Sequence, residues 1–181
     1  MVALNAPKGL VRKLILAGTR ASQSAKTVAG PAGPFKALFR AETEAESEAA
    51  IAYSFYPETE EGRKYAKESW ARMCEANGGN APVFLGIEGA KIQAAAFADW
   101  STPNPRNSVD RLGELRMPVF VCNGNNDVLI PTVNSWELME GIEDAQLVIY
   151  PESGHGFLFQ YAEVFAEHVR VFLDGLEKAK L

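Results

Sequence analysis

Short apolar runs and amphipathic runs alternate along the last third of the chain. Residues 118–122 and 145–150 are mostly apolar, as are residues 11–18 near the start, and such runs are typical of buried parallel strands. Residues 131–141 and 160–178 repeat apolar side chains at spacings of three and four, as amphipathic helices do. This order favours parallel strands joined by right-handed crossovers. The pattern therefore predicts an α/β fold with about three parallel strands and flanking helices.

The segment between the first strand and the last third has helical patterns only. Clusters of glycine, proline and asparagine divide it into two predicted helices, residues 41–53 and 58–76, and a third helix is predicted at residues 90–100. Thr132 is predicted to cap the helix at residues 131–141. We divide the chain into the end of a helix with the first strand at residues 1–18, a helical insertion at 19–89, and an α/β core at 90–181.

Composition narrows the classes of function. The chain is long enough for one domain with a substantial core, because 47% of its 181 residues are hydrophobic. Its formal charge of -5 gives no general attraction for phosphate backbones, so we expect no nucleic-acid partner. The apolar run at residues 14–18 is too short for a secretory signal or a membrane span, so a cytoplasmic location is expected. Cys74 and Cys122 are predicted to be free buried thiols, and no metal-ligand spacing is present.

Asp127 and His155 are the candidate catalytic residues. Asp127 comes five residues after Cys122, and His155 comes five residues after Tyr150. Because ligand crevices in open parallel sheets lie at the carboxyl ends of the strands, both side chains are expected at one rim. A histidine that acts as general base needs a carboxylate to hold its tautomer. The alternative is that Asp127 caps a turn and His155 fills a loop. His168 lies on an apolar helical stripe and is expected to be a packed, hydrogen-bonded residue.

Three sequence blocks resemble the α/β-hydrolase family, in particular the cofactor-free haloperoxidase-like enzymes and small esterases. The blocks are LILAGT at residues 14–19, GNNDVLIP at 124–131 and QLVIYPESGHG at 146–156. The resemblance covers essentially the whole chain. It implies that residues 1–18 correspond to the end of the helix after the nucleophile and to the sixth strand of the family fold, and that a helical cap follows. It further implies that Asp127 is the triad acid and His155 the triad base, and no cofactor is expected.

The nucleophile of that family has no match in this sequence. In α/β-hydrolases it lies in a Gly-x-Ser-x-Gly turn, ahead of the acid and the histidine. None of the nine serines has glycine at both the minus-two and the plus-two position, and the loop that forms the oxyanion hole is also unmatched. We therefore expect these residues to be the C-terminal part of a serine-type hydrolase for an ester or related acyl bond, inactive alone.

Partners follow from the same resemblance. A small-molecule acyl substrate is expected once the missing N-terminal half completes the site, and the exposed edge of the first strand is expected to promote self-association. Two other hypotheses stay open: a non-catalytic relic or interaction module that keeps the C-terminal lobe, and a small-molecule binder that uses the cap. Aromatic side chains in the predicted cap suit an apolar acyl or aromatic ligand, although such residues at helical spacing also fill cores.

Overall fold

A sheet of parallel strands organises the protein. The computed structural model describes residues 1–82 and 86–174. Within them the sheet contains β1 (Leu14–Ala17), β2 (Val119–Gly124) and β3 (Ala145–Tyr150), in the order β1-β2-β3. Both pairs are parallel, with Leu14 opposite Val119 and Val119 opposite Ala145. The three predicted parallel strands are confirmed, and their carboxyl ends lie at one edge of the sheet.

The central strand β2 divides the core into two layers. All of its residues are buried, because both of its neighbours are strands and both of its faces are covered. Val119 and Val121 pack on one face with Leu112, Leu138 and Ile142. The alternate residues pack on the other face in a cluster of aromatic and thiol side chains that comprises Phe120, Cys122, Tyr150, Phe157 and Phe172. The side chains alternate between the two faces as the pleat of a strand requires.

Helices precede, interrupt and follow the sheet. The short α1 (Val2–Asn5) leads to β1. Between β1 and β2 the chain forms α2 (Ala32–Arg40), α3 (Glu44–Phe55), α4 (Glu60–Ala76) and α5 (Gly86–Ser101), followed by a 3-10 turn at Val109–Glu114. We call α2 to α5 the helical region. After β2 come α6 (Asn134–Gly141), β3, α7 (Phe157–Gln160) and α8 (Ala162–Asp174). No described helix combines the length and the apolar character needed to cross a membrane.

The helical region has a core of its own. α2 packs against α3 and α5, and α3 packs against α4. Ile51, Tyr56, Ala66 and Trp70 form the buried cluster at the α3–α4 contact. The predicted helices at 41–53, 58–76 and 90–100 correspond to α3, α4 and α5. The division of the chain at residues 18 and 89 stays a prediction.

One helix was not predicted, α2. The glycine and proline cluster at residues 30–34 was interpreted as a turn, yet Pro31 is the N-cap and Pro34 lies in the first turn of α2. The first four N–H groups of a helix have no intrahelical partner, so proline there sacrifices no hydrogen bond. Proline near a helix start is therefore a helix signal as much as a breaker.

Two predictions at helix ends need correction. Thr132 does not cap α6: the N-cap is Val133, and the Thr132 hydroxyl donates to the carbonyl of Gly124 at the end of β2. Because its hydroxyl is bonded to that carbonyl, the Thr132 side chain is not available to cap the helix. The predicted helix at 160–178 is interrupted at Tyr161, the C-cap of α7, and continues as α8 from Ala162. Its predicted end beyond Asp174 lies outside the described residues.

Candidate active site

Asp127 and His155 form a hydrogen-bonded pair at the carboxyl end of the sheet. The Nδ1 atom of His155 lies 2.7 Å from Oδ2 of Asp127. The Asp127 side chain is fully buried, and the His155 side chain is 23% exposed. A carboxylate only accepts hydrogen bonds, so Nδ1 carries the proton and Nε2 of a neutral ring is left as an acceptor. The pair therefore has the arrangement of a general base with its orienting acid.

The loop after β2 fixes the Asp127 carboxylate. Its second oxygen, Oδ1, accepts the backbone N–H groups of Leu129 at 2.8 Å and Ile130 at 2.9 Å. One oxygen is thus held by the backbone while the other faces the imidazole. Asn123, buried within β2, donates to the carbonyl of Ile130 and so ties the same loop to the strand. A buried carboxylate with three donors around it is oriented before any substrate arrives.

The histidine loop, residues 151–156, is joined to this acid loop along its backbone. The N–H of Asn125 donates to the carbonyl of Tyr150, and the N–H of Asn126 donates to that of Ser153, both at 2.9 Å. The two loops approach so closely at Gly124 that a Cβ there would lie 2.3 Å from the Gly154 oxygen. Glycine is required at this contact because real Cβ atoms do not tolerate such a distance to backbone. The 2.7 Å pair is therefore held by the backbone of two adjacent loops.

Gly18, directly after β1, lies beneath the imidazole. It has a φ of 55°, in the left-handed region that favours glycine. A Cβ at this position would lie 3.1 Å from Cε1 of His155. Gly18 after β1, Asp127 after β2 and His155 after β3 thus lie together at the carboxyl ends of the three strands.

The helical region closes the other side of the imidazole. The rings of Phe55 and His155 pack edge to face, with centroids 5.0 Å apart and an interplanar angle of 83°. Phe55 also lines a cavity of about 550 Å³ in the helical region. Other residues that line this cavity are Phe35, Leu38, Phe39, Ile51, Ala90, Gln93 and Phe97. Phe55 thus contacts the candidate base and also lines an apolar cavity.

The other sequence candidates lie outside this pair. His168 is half-buried, and its Nδ1 lies 2.8 Å from the Tyr150 hydroxyl, which agrees with the predicted packing role. Asp99 and Asp110, the other aspartates ahead of β2, are both exposed. Cys122 is buried and free, while Cys74 is free but only partly buried. Burial raises the pKa of the Cys122 thiol to about 12, so it is not an activated thiolate.

Sequence reasoning missed three residues that shape the site. Gly18 was noted only as the end of a strand, Asn123 was not singled out, and Phe55 was one of many cap aromatics. An amide inside an apolar strand was an available signal for Asn123, since a buried polar side chain needs partners. The contact between Phe55 and His155 joins residues far apart in sequence and had no local signal. Among residues 1–82 and 86–174, no group of three or more His, Cys, Asp or Glu side chains could hold a metal ion.

Comparison with known families gives one match over half of the chain. The family described as TAP-like protein matches residues 88–179, which include both loops of the candidate site. A solved structure of an α/β-hydrolase fold protein from Chitinophaga pinensis has a TM-score of 0.75 and 27% sequence identity. The match covers 97% of this chain and 60% of that one. The chain is therefore similar throughout to a part of a larger fold.

Curated relatives match over shorter segments. The AB hydrolase superfamily protein YclE of Bacillus subtilis (strain 168) is 33% identical over 67 residues, which is 36% of this chain and 24% of that protein. The 2-hydroxy-6-oxononadienedioate/2-hydroxy-6-oxononatrienedioate hydrolase of Klebsiella pneumoniae is 34% identical over 73 residues, which is 39% of this chain and 25% of that protein. The matched segment thus spans about a quarter of the length of these relatives.

Proposed function

This chain belongs to the α/β-hydrolase family, and we propose that it supplies the acid and the base of a serine-type hydrolase for an ester or related acyl bond. The observation that carries the proposal is the hydrogen bond of 2.7 Å between buried Asp127 and His155. His155 accepts the proton of an attacking hydroxyl at Nε2, and Asp127 stabilises the imidazolium that forms. The proton later returns to the leaving group, as general acid catalysis requires.

We propose that the attacking hydroxyl comes from chain outside these 181 residues. Eight of the nine serine hydroxyls bond to partners other than His155: those of Ser22, Ser24, Ser54, Ser69, Ser101, Ser108, Ser135 and Ser153. The ninth, Ser47, is buried within α3. The Chitinophaga pinensis structure extends beyond the 60% that this chain covers, which leaves room for a nucleophile and an oxyanion hole in the remainder.

The cavity lining supports an apolar acyl or aromatic substrate. Its side chains are aliphatic or aromatic apart from Gln93. The names of three relatives, the Klebsiella pneumoniae hydrolase among them, specify dioates, which carry two carboxylates. Charged groups are costly to bury without partners, so this lining favours an uncharged ester over a dicarboxylate. We further propose a cytoplasmic location and no nucleic-acid partner, on the grounds of charge and apolar run length given above.

The test of this proposal adds the segment that is expected to contain the nucleophile. The chain is expressed with the segment translated from the nucleotides upstream of Met1, either in one reading frame or as a separate fragment. We expect hydrolysis of a short p-nitrophenyl ester, covalent labelling of one serine by a fluorophosphonate, and no labelling of the 181-residue chain alone. Labelling or saturable turnover by the chain alone would show that its nucleophile lies within these residues. A restored chain that binds the probe at no serine would support the non-catalytic alternative instead.

A further inference from the structure

The end of α3 is attached to the histidine loop. Phe55, the last residue of α3, and Tyr56, its C-cap, form what we call the Phe55–Tyr56 corner. The carbonyl of Phe55 accepts the N–H of Gly156 at 2.8 Å. A Cβ on Gly154 would lie 2.7 Å from the same carbonyl oxygen. The glycines on both sides of His155 therefore bring the loop against the corner, one by a hydrogen bond and one by close approach.

The imidazole has a contact on three sides. Asp127 holds Nδ1, Gly18 lies so close that a Cβ there would be 3.1 Å from Cε1, and the ring of Phe55 packs edge to face at 5.0 Å. A histidine joined to the chain by two rotatable bonds needs such contacts to keep one orientation. Asp127 and Gly18 lie at the ends of strands, whereas Phe55 belongs to the helical region. Of these three contacts, the Phe55 contact joins the two parts of the molecule.

Tyr56, the other residue of the Phe55–Tyr56 corner, also packs against the histidine loop. Its side chain is buried, and a Cβ on Gly156 would lie 2.7 Å from its Cζ atom. The Tyr56 hydroxyl is hydrogen-bonded to Ser69 on α4, and Arg72 donates to the same serine at 2.8 Å. Burial raises the pKa of Tyr56, so the phenol keeps its proton and this bond near neutral pH. The corner is thus fixed to α4 as well as to the histidine loop.

We infer that Phe55 is a positioning residue for His155: its carbonyl fixes the loop and its ring fixes the plane of the imidazole, so that the helical region sets the orientation of the base. The inference rests on the proposed function of His155 as that base. Phe55 acts through His155 and takes no part in bond making itself. Replacing Phe55 should therefore change the orientation and the tautomer of the His155 imidazole even though Asp127 is still present.

The test measures the chemical shifts of the His155 ring nitrogens by NMR, and it does not depend on turnover. Selective nitrogen-15 labelling of histidine gives signals from His155 and His168 alone, and magic-angle spinning of sedimented protein makes the measurement independent of oligomeric state. In a neutral imidazole, the protonated and the unprotonated nitrogen have widely separated nitrogen-15 chemical shifts. We call the difference between these two shifts the separation. We expect the His155 separation to fall by about half in Phe55→Ala, because a ring that is free to rotate leaves the hydrogen bond with Asp127 for part of the time and then populates both tautomers. His168 is the internal reference.

Matched variants separate positioning from packing. Phe55→Tyr keeps the ring and should restore the wild-type separation. Phe39→Ala removes a ring that lines the same cavity but pairs with Phe35, and should leave the His155 signals unchanged at a similar loss of melting temperature. If Phe55→Ala does not fold, Phe55→Leu is measured with the same expectation.

The outcomes distinguish this inference from the proposed function. A full His155 separation in folded Phe55→Ala or Phe55→Leu would overturn the positioning role and leave the acid and base assignments intact. A wild-type His155 without a proton on Nδ1 would overturn those assignments and the inference together. A reduced separation in Phe55→Ala, with the wild-type value restored in Phe55→Tyr, supports the positioning role of Phe55.

Discussion

The sheet and the helical region contribute to the site in different ways. β2 is buried at every residue and paired on both sides, and the acid and the histidine both follow strands of this sheet. The helical region instead encloses a cavity of about 550 Å³ and contacts His155 through one aromatic ring. Groups that transfer protons need fixed distances, whereas a region that receives a ligand needs space. Under the proposed function, the strand ends therefore supply the chemistry and the helical region receives the ligand.

The largest effect is expected at the Asp127–His155 pair. With the nucleophile segment supplied as above, Asp127→Asn should lower kcat by roughly 10⁴-fold, because the amide favours the wrong imidazole tautomer. His155→Ala should be at least as severe. Asp110→Asn, at an exposed aspartate ahead of β2, is the control and should keep near-normal kcat. Near-normal turnover of Asp127→Asn would mean that Asp127 is only a turn residue and that the acid lies elsewhere.

The second prediction compares two glycines, Gly124 at the end of β2 and Gly113 in the 3-10 turn ahead of that strand. A Cβ at Gly124 would lie 2.3 Å from one backbone oxygen and 2.4 Å from another, so Gly124→Ala must separate the acid and histidine loops. We expect a loss of about 3 kcal/mol in the free energy of unfolding. A Cβ at Gly113 would face open space, and Gly113→Ala should change stability by less than about 0.5 kcal/mol. Equal melting temperatures for the two variants would contradict the close contact of the loops.

The third prediction concerns the edge of the sheet. β1 pairs with β2 on one side, and Val2, which is 83% exposed, lines an apolar groove with Leu14 and Leu16. An apolar strand edge promotes association, so we expect the chain to be oligomeric at high concentration. Val2→Lys should weaken self-association about tenfold in sedimentation equilibrium. Ile92→Lys is the control, since Ile92 is similarly exposed at 72% but lies on α5. A wild-type chain that is monomeric at every concentration would refute the role of the edge.

The sequence predicts the sheet half better than the helical region, for physical reasons. Strands such as β2 are short continuous apolar runs, and the residues after them reach the carboxyl rim by topology alone, which was sufficient to pair Asp127 with His155. The proline-rich start of α2 has no such local signature. Contacts of the helical region, such as Phe55 with His155, depend on tertiary packing that no periodicity encodes. The role of Gly18 likewise depends on the approach of the histidine loop to the end of β1, across the intervening β2.

The smallest predicted effect tests whether the two parts open separately. Thr43 caps α3 with Glu46 in a reciprocal capping box, in which each side chain accepts a backbone N–H of the other residue. Thr43→Ala should cost about 1 kcal/mol of stability, and Thr43→Ser, which keeps the hydroxyl, should cost much less. Native-state hydrogen exchange then shows which part of the protein loses stability. If the helical region opens as its own unit, amides of α3 should exchange faster in Thr43→Ala while those of β2 stay unchanged. Equal acceleration in α3 and β2 would mean that sheet and helices unfold together, and that the helical region is as firmly held as the strands that precede Asp127 and His155.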